Sequence, residues 1–242
     1  MFWKIPITLG ITGIALGITL YCYSQLLPGD QMNETLCQFA QEQDEELKPF
    51  PIVLEEQLVI ESLGGYEGPF LEDGTYEEVC DVVAVQVRNQ GNKPISSTEL
   101  FVKTCLGVYQ FKGTLIMPGQ TCVLLELSRL PYKGETSAMC TGTLMFEDRQ
   151  NLLHTAIKLK EGSDDTLIIT NETDKRQDGV CLYYKMYLEP TDILVGGITY
   201  QMQLKHLLPG EKQILRLPHY VQGYSRILAA YKATLPAKAG SG

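Results

Sequence analysis

The chain has 242 residues, with 20 basic and 29 acidic side chains, 3 His and 44% apolar residues. That composition is ordinary for a folded protein and excludes wholesale disorder. A net charge of −9 removes the basic footprint that a nucleic-acid binder needs to neutralise phosphates.

From Ile5 to Tyr23, nineteen residues pass without a charge. A helix of that length spans about 28 Å, close to the roughly 30 Å hydrocarbon core of a bilayer. Lys4 precedes the run, and Asp30, Glu34, Asp44, Glu45 and Glu46 follow it. The positive-inside rule then predicts a cytoplasmic N-terminus and extracytoplasmic domains on a single-pass cell-membrane anchor over residues 1–29. Cleavage after Ser24 is the rival reading, but Tyr21 and Tyr23 suit an interfacial aromatic belt better than a signal-peptide site. Gly13 and Gly17 form a GxxxG pair through which two such helices would dimerise, although Gly is common in membrane helices anyway.

Residues 30–50 are polar and acidic and read as a stalk, closed by Pro49 and Pro51. From Glu55 to Asp81 there are nine carboxylates and no Lys or Arg, the pattern of a solvated face or loop. Beyond Pro51 the apolar period becomes two. Val79, Val83, Val85 and Val87 alternate with Cys80, Val82, Ala84 and Gln86, a strand with apolar residues on both faces. Val180 to Tyr187 and Ile198 to Lys205 alternate likewise, the latter with one wet face. Asn89-Gln90-Gly91-Asn92, Pro118-Gly119 and Pro209-Gly210 are turn clusters.

The chain also repeats itself. Gly107-Val108-Tyr109-Gln110-Phe111, followed by Pro118-Gly119, recurs as Ile198-Thr199-Tyr200-Gln201-Met202 and Pro209-Gly210. Arg129-Leu130-Pro131-Tyr132 recurs as Arg216-Leu217-Pro218 with Tyr220 after one inserted His, and Asn89 with Lys93 recurs as Asn171 with Lys175. The expected fold is all-β: two tandem Ig-like β-sandwich domains, 51–160 and 161–236, after the N-terminal transmembrane helix, with 237–242 a disordered tail. Tyr109 and Tyr200 are expected at equivalent strand positions, and the two Pro-Gly pairs at equivalent turns.

The run "VRNQGNKPI", then "GVYQFKGTLIMPGQTCVLLEL", resembles extracytoplasmic Ig-like modules of the CARDB and FxLYD kind. The longer stretch "YEGPFLEDGTYEEVCDVVAVQVRNQGNKPI", with "GGITYQ" and "YSRIL", resembles uncharacterised clostridial single-pass membrane proteins. The resemblance covers about residues 60–230, rests on turn chemistry and brings no catalytic residue.

Candidate chemistry is sparse. Six Cys lie beyond Cys22. Cys80 and Cys122 are the best pair for a cross-sheet disulfide, against free buried thiols as the alternative. No CxxC or His pair points to a metal, and no GxSxG, HExxH or P-loop to catalysis. His154, His206 and His219 have no counterpart in the other repeat. Glu67, Glu72, Asp73, Glu77 and Glu78 offer oxygen ligands without calcium-loop spacing. Asn33-Glu34-Thr35 and Asn171-Glu172-Thr173 are glycosylation sequons, and the Tyr of the second repeat suit either carbohydrate stacking or core filling. These residues lead to a non-enzymatic, membrane-anchored protein with no catalytic, cofactor or metal site, no cofactor and no nucleic-acid partner. Its two domains would contact another protein or an envelope component. The alternative is an accessory subunit of a membrane transport, secretion or pilus-assembly complex.

Overall fold

A computed structural model describes residues 46–147, 156–163, 165–188 and 191–232. The first eight strands are β1 (Lys48–Pro49), β2 (Ile52–Leu54), β3 (Leu58–Pro69), β4 (Glu78–Asn89), β5 (Ile95–Thr104), β6 (Gly107–Ile116), β7 (Thr121–Leu125) and β8 (Ser137–Phe146). Then come β9 (Ile157–Glu161), β10 (Thr166–Asn171), β11 (Gln177–Leu188), β12 (Ile193–Leu207), β13 (Lys212–Arg216) and β14 (Ser225–Lys232). They form three sheets, ordered β1-β8-β5-β6, β13-β10-β9 and β14-β11-β12-β7-β4-β3-β2.

The double-faced apolar pattern of β4 has a direct cause. Val83, Val85 and Val87 point into a core shared with Leu58 and Ile60 of β3, Leu100 and Val102 of β5, and Phe111 and Ile116 of β6. Val82 and Ala84 point the other way, into a second cluster with Tyr66, Phe70, Leu71, Leu125 and Val195. A strand covered on both sides has no reason to alternate apolar with polar residues. A third cluster joins Ile169 of β10, Leu182 and Tyr184 of β11, Leu204 of β12 and Leu215 of β13.

The sequence repeat has a hydrogen-bonded basis. Asn89 and Asn171 are both 0% exposed. The Asn89 amide donates to the carbonyls of Lys93 and Ile116, and the Asn171 amide to those of Lys175 and Leu207. Gly119 N–H donates to the Asn89 carbonyl, as Gly210 N–H does to that of Asn171. The two Pro-Gly turns therefore hang on equivalent buried Asn residues. Tyr109 on β6 and Tyr200 on β12 precede these turns, facing Val102 and Tyr184 of the adjoining hairpin strand. The Arg-Leu-Pro segments match less well, since Leu130 is exposed and Leu217 buried.

Several expectations need correction. The all-β character holds, but no helix of any kind occurs among the described residues, and none is long and apolar enough to cross a membrane. The anchor expected over residues 1–29, with its Gly13–Gly17 dimer face, lies outside the described residues, as do most of the stalk and the tail at 237–242. No helix among the described residues supports such an anchor, so the single-pass topology, membrane partner and extracytoplasmic placement are not kept. Nor do the halves stand as two separate sandwiches, because one seven-stranded sheet draws strands from both. Cys80 and Cys122 are free thiols. Cys122 pairs with Val87, seven residues along β4 from Cys80, which separates them by on the order of 20 Å and rules out a bridge. Asn171 is spent on carbonyls in the interior, so the second sequon offers no accessible amide.

Replacing Asn89 or Asn171 by Ala is expected to lower unfolding stability by about 1–3 kcal/mol each, because both leave buried carbonyls without a donor. Urea denaturation measures this, and an unchanged midpoint would show that water replaces the amide.

Candidate functional site

The chemistry worth examining lies where the two halves meet. Along the β11–β12 pair, Met186 faces Val195 and Tyr184 faces Tyr200. Lys185 alone thus stands opposite Gly196–Thr199, and β12 bulges. A bulge breaks the ladder and leaves backbone groups without strand partners, and buried backbone groups of that kind must be satisfied elsewhere. Lys185 does this for two carbonyls. Its side chain is 0% exposed, and its Nζ donates to the oxygens of Gly196 at 3.1 Å and Gly197 at 3.2 Å. The Cys122 sulfur lies 3.9 Å away.

Glu72, in the loop after β3, completes the arrangement. Its Oε1 accepts the Gly197 N–H of β12 at 2.7 Å and the Leu125 N–H of β7 at 3.3 Å. One carboxylate therefore holds backbone from both halves. Burial pushes its pKa up, against the lowering effect of the two N–H donors and of Lys185. Cys122 is also pushed up by burial, so it stays a thiol, the inert form of a buried Cys. Thr114 of β6 donates to the Gly197 carbonyl at 2.7 Å, and Thr199 to the Thr114 carbonyl at 2.8 Å.

Ahead of the bulge, the start of β12 is paired with β11 on one edge and with β7 on the other. Leu194 and Val195 pair in parallel with Cys122 and Val123, and this short register joins the two halves into one sheet. Glycine is required at the crossing. A methyl at Gly197 would overlap the Lys112 carbonyl oxygen, and Gly196 has φ +79° with Leu71 beside it.

A second contact sits nearby. The Tyr76 hydroxyl, from the loop before β4, lies 2.6 Å from that of Tyr200. His219 stacks on both rings, at 5.4 Å from Tyr76 and 4.8 Å from Tyr200. Tyr184 stacks on Tyr200, and burial pushes its phenol up to about 12. The inserted His219 is thus part of an aromatic clasp between the halves, and Tyr184, Tyr220 and Tyr231 are buried and fill the core, while Tyr224 is 56% exposed.

The acidic candidates separate. Asp73 and Glu77 pair with Arg129, whose guanidinium lies 4.5 Å over the Phe70 ring. Glu67, Cys80 and Asp81 converge with ligand atoms within 4.8 Å of one another, all exposed. His206 is exposed on β12, and His154 lies outside the described residues. Lys185 escaped sequence reasoning, although a lone Lys inside "VCLYYKMY" was its signal. Glu72 was counted with a solvated stretch when it is a junction residue. Searches of family profiles, characterised proteins and solved structures give no match for this chain. With no match and no helix among the described residues, the likeness to CARDB/FxLYD modules and to clostridial membrane proteins is set aside.

Gly197→Ala is expected to destabilise far more than Gly210→Ala, whose φ of +68° meets open space and costs about 1 kcal/mol. Equal losses in thermal melts would show that the crossing tolerates a side chain. Glu72 also sets a pH dependence. Its folded pKa is raised, so the folded state holds the proton more tightly than the unfolded chain does. Relative stability is then greatest below the unfolded carboxyl value and falls as pH rises from it towards the raised folded value. Wild type is expected to lose ground to Glu72→Gln over that window in urea titrations, and parallel curves would remove the burial argument.

Proposed function

We propose that this chain is a non-catalytic structural module: two β repeats, the first ending with β8 and the second beginning with β9, locked in one fixed arrangement. The observation that carries this reading is the buried junction, in which Lys185 of one repeat and Glu72 of the other jointly satisfy the bulge of β12. Exposed, hinge-like linkers are the usual way to let repeats move. Here a charged side chain is desolvated at the crossing and the sheet continues through it, a costly arrangement unless the relative placement matters. The same contacts argue against catalysis as their purpose. Lys185, Glu72 and Cys122 have the groups best suited to acid, base or nucleophile roles, yet each faces backbone or a buried neighbour and not an open cleft. Fixed spacing between two outward surfaces is what such a module supplies.

If the halves are locked, hydrogen exchange should report one shared opening free energy for β4 and β11, and urea unfolding one transition. Lys185→Met keeps the volume and removes the amine donor from the Gly196 and Gly197 carbonyls, leaving them only Cys122 and Thr114. It is expected to cost about 1–3 kcal/mol and to split the exchange so that the halves open separately. Separate opening in the wild type would sink the locked-module reading.

A further inference from the structure

The sheet β13-β10-β9 has an outer face unlike the rest of this acidic molecule. Burial alternates along its strands, and the outward positions are Lys212, Ile214 and Arg216 on β13, Thr166, Ile168 and Thr170 on β10, and Lys158 and Lys160 on β9. The register places Ile214 beside Ile168 and Ile168 beside Lys160, with Lys212, Thr170 and Lys158 in the next row. Four cations thus frame an isoleucine pair, and Ile214 is 71% exposed. The acid on this face is Glu172, 3.4 Å from Lys158. A large apolar side chain ringed by one sign of charge is the anatomy of a small docking patch.

The complement lies on the other repeat. Glu67, Cys80 and Asp81 converge without a basic side chain among them, and Glu78 stands opposite Pro69 on the same strand pair. Beside them runs Leu130, 40% exposed, tied to β4 through its carbonyl, which accepts the Val83 N–H, while the Tyr132 N–H donates to Asp81. This exposed leucine lies on the segment tied to β4 beyond Asp81, with Arg129 beside it held by Asp73 and Glu77.

We propose that the basic face of β13-β10-β9 docks the Glu67–Glu78–Asp81 patch of a second copy of this chain. The two patches differ, so the contact is head-to-tail and adds copies in an open row. A face three strands wide and five residues long covers about 10 by 17 Å. That is far below the roughly 800 Å² per partner of a stable complex, so the contact is weak and reversible. Each copy carries a net charge of −9. Long-range repulsion is screened beyond about 10 Å at 0.1 M salt, and the close pairs survive it. This goes beyond the locked-module reading and does not depend on it: junction variants test that reading and surface variants test this one.

Zero-length carbodiimide cross-linking tests it on the full chain. The reagent activates a carboxylate, a lysine amine displaces it as the urea, and an amide remains. With equal amounts of ¹⁴N- and ¹⁵N-labelled chain, mixed-label peptides joining Lys158, Lys160 or Lys212 to Glu67, Glu78 or Asp81 are expected at about 0.1 M salt, with yield falling at least about fivefold at 0.5 M. Lys160→Glu with Lys212→Glu should abolish them, as should Glu67→Lys with Glu78→Lys, and mixing these two variants should restore cross-links between the unaltered patches. Absence of mixed-label links, links indifferent to salt, or reversal variants that link like the parent would each overturn the proposal. Salt-sensitive retention on heparin without mixed-label links would overturn it too, and would assign the basic face to a polyanion.

Discussion

The β12 bulge is the constraint on which the rest of this structure depends. Strand β12 is paired with β11 on both sides of the bulge and with β7 on its other edge ahead of it, and at the bulge itself the interrupted ladder leaves N–H and C=O groups where no water can serve them. Three side chains meet that demand: Lys185 for two carbonyls, Glu72 for an N–H on each side, and Thr114 for a further bond to the Gly197 carbonyl. Their sequence positions follow from this duty. Lys185 lies in an otherwise apolar strand because its Nζ, not its charge, is needed there. Glycines occupy 196 and 197 because Leu71 and the Lys112 carbonyl approach too closely for a Cβ.

The electrostatic cost is shared. A lysine buried alone would be expensive, and so would a buried carboxylate. The nearby Lys185 lowers the Glu72 pKa in part, and each side chain holds two backbone groups. Burial nonetheless dominates at Glu72 and keeps its pKa raised. The aromatic contact of Tyr76 with Tyr200 and His219 spreads the same task over a larger area without charge. Buried polar contacts and stacked rings together hold two repeats whose direct strand pairing is only two residues long.

Much of the fold was legible beforehand because strand period and turn chemistry are local. The alternation in Val79–Val87 and Ile198–Lys205, the Pro-Gly turns and the recurrence of Asn with Lys all depend on neighbours a few residues away. The buried Asn89 and Asn171 explain why those motifs repeat. The anchor stands differently: an uncharged run is a statement about hydropathy, its residues lie outside the described ones, and the described residues offer no helix to support it. The disulfide guess failed because an apolar setting gives each Cys a face and says nothing of its distance along the strand.

By itself, then, the sequence determined the all-β character, the repeated turn framework and the double-faced β4, since each is set by periodicity and by residues with special backbone freedom. Only the tertiary structure decided that the halves share a sheet, that Lys185 and Glu72 meet, and that His219 closes on Tyr76. Each of these joins residues from opposite halves of the chain. Their meeting is fixed by how far a hairpin extends and where it bulges, which are properties of packing between repeats and leave only a lone Lys and a Gly-Gly pair as traces in the sequence.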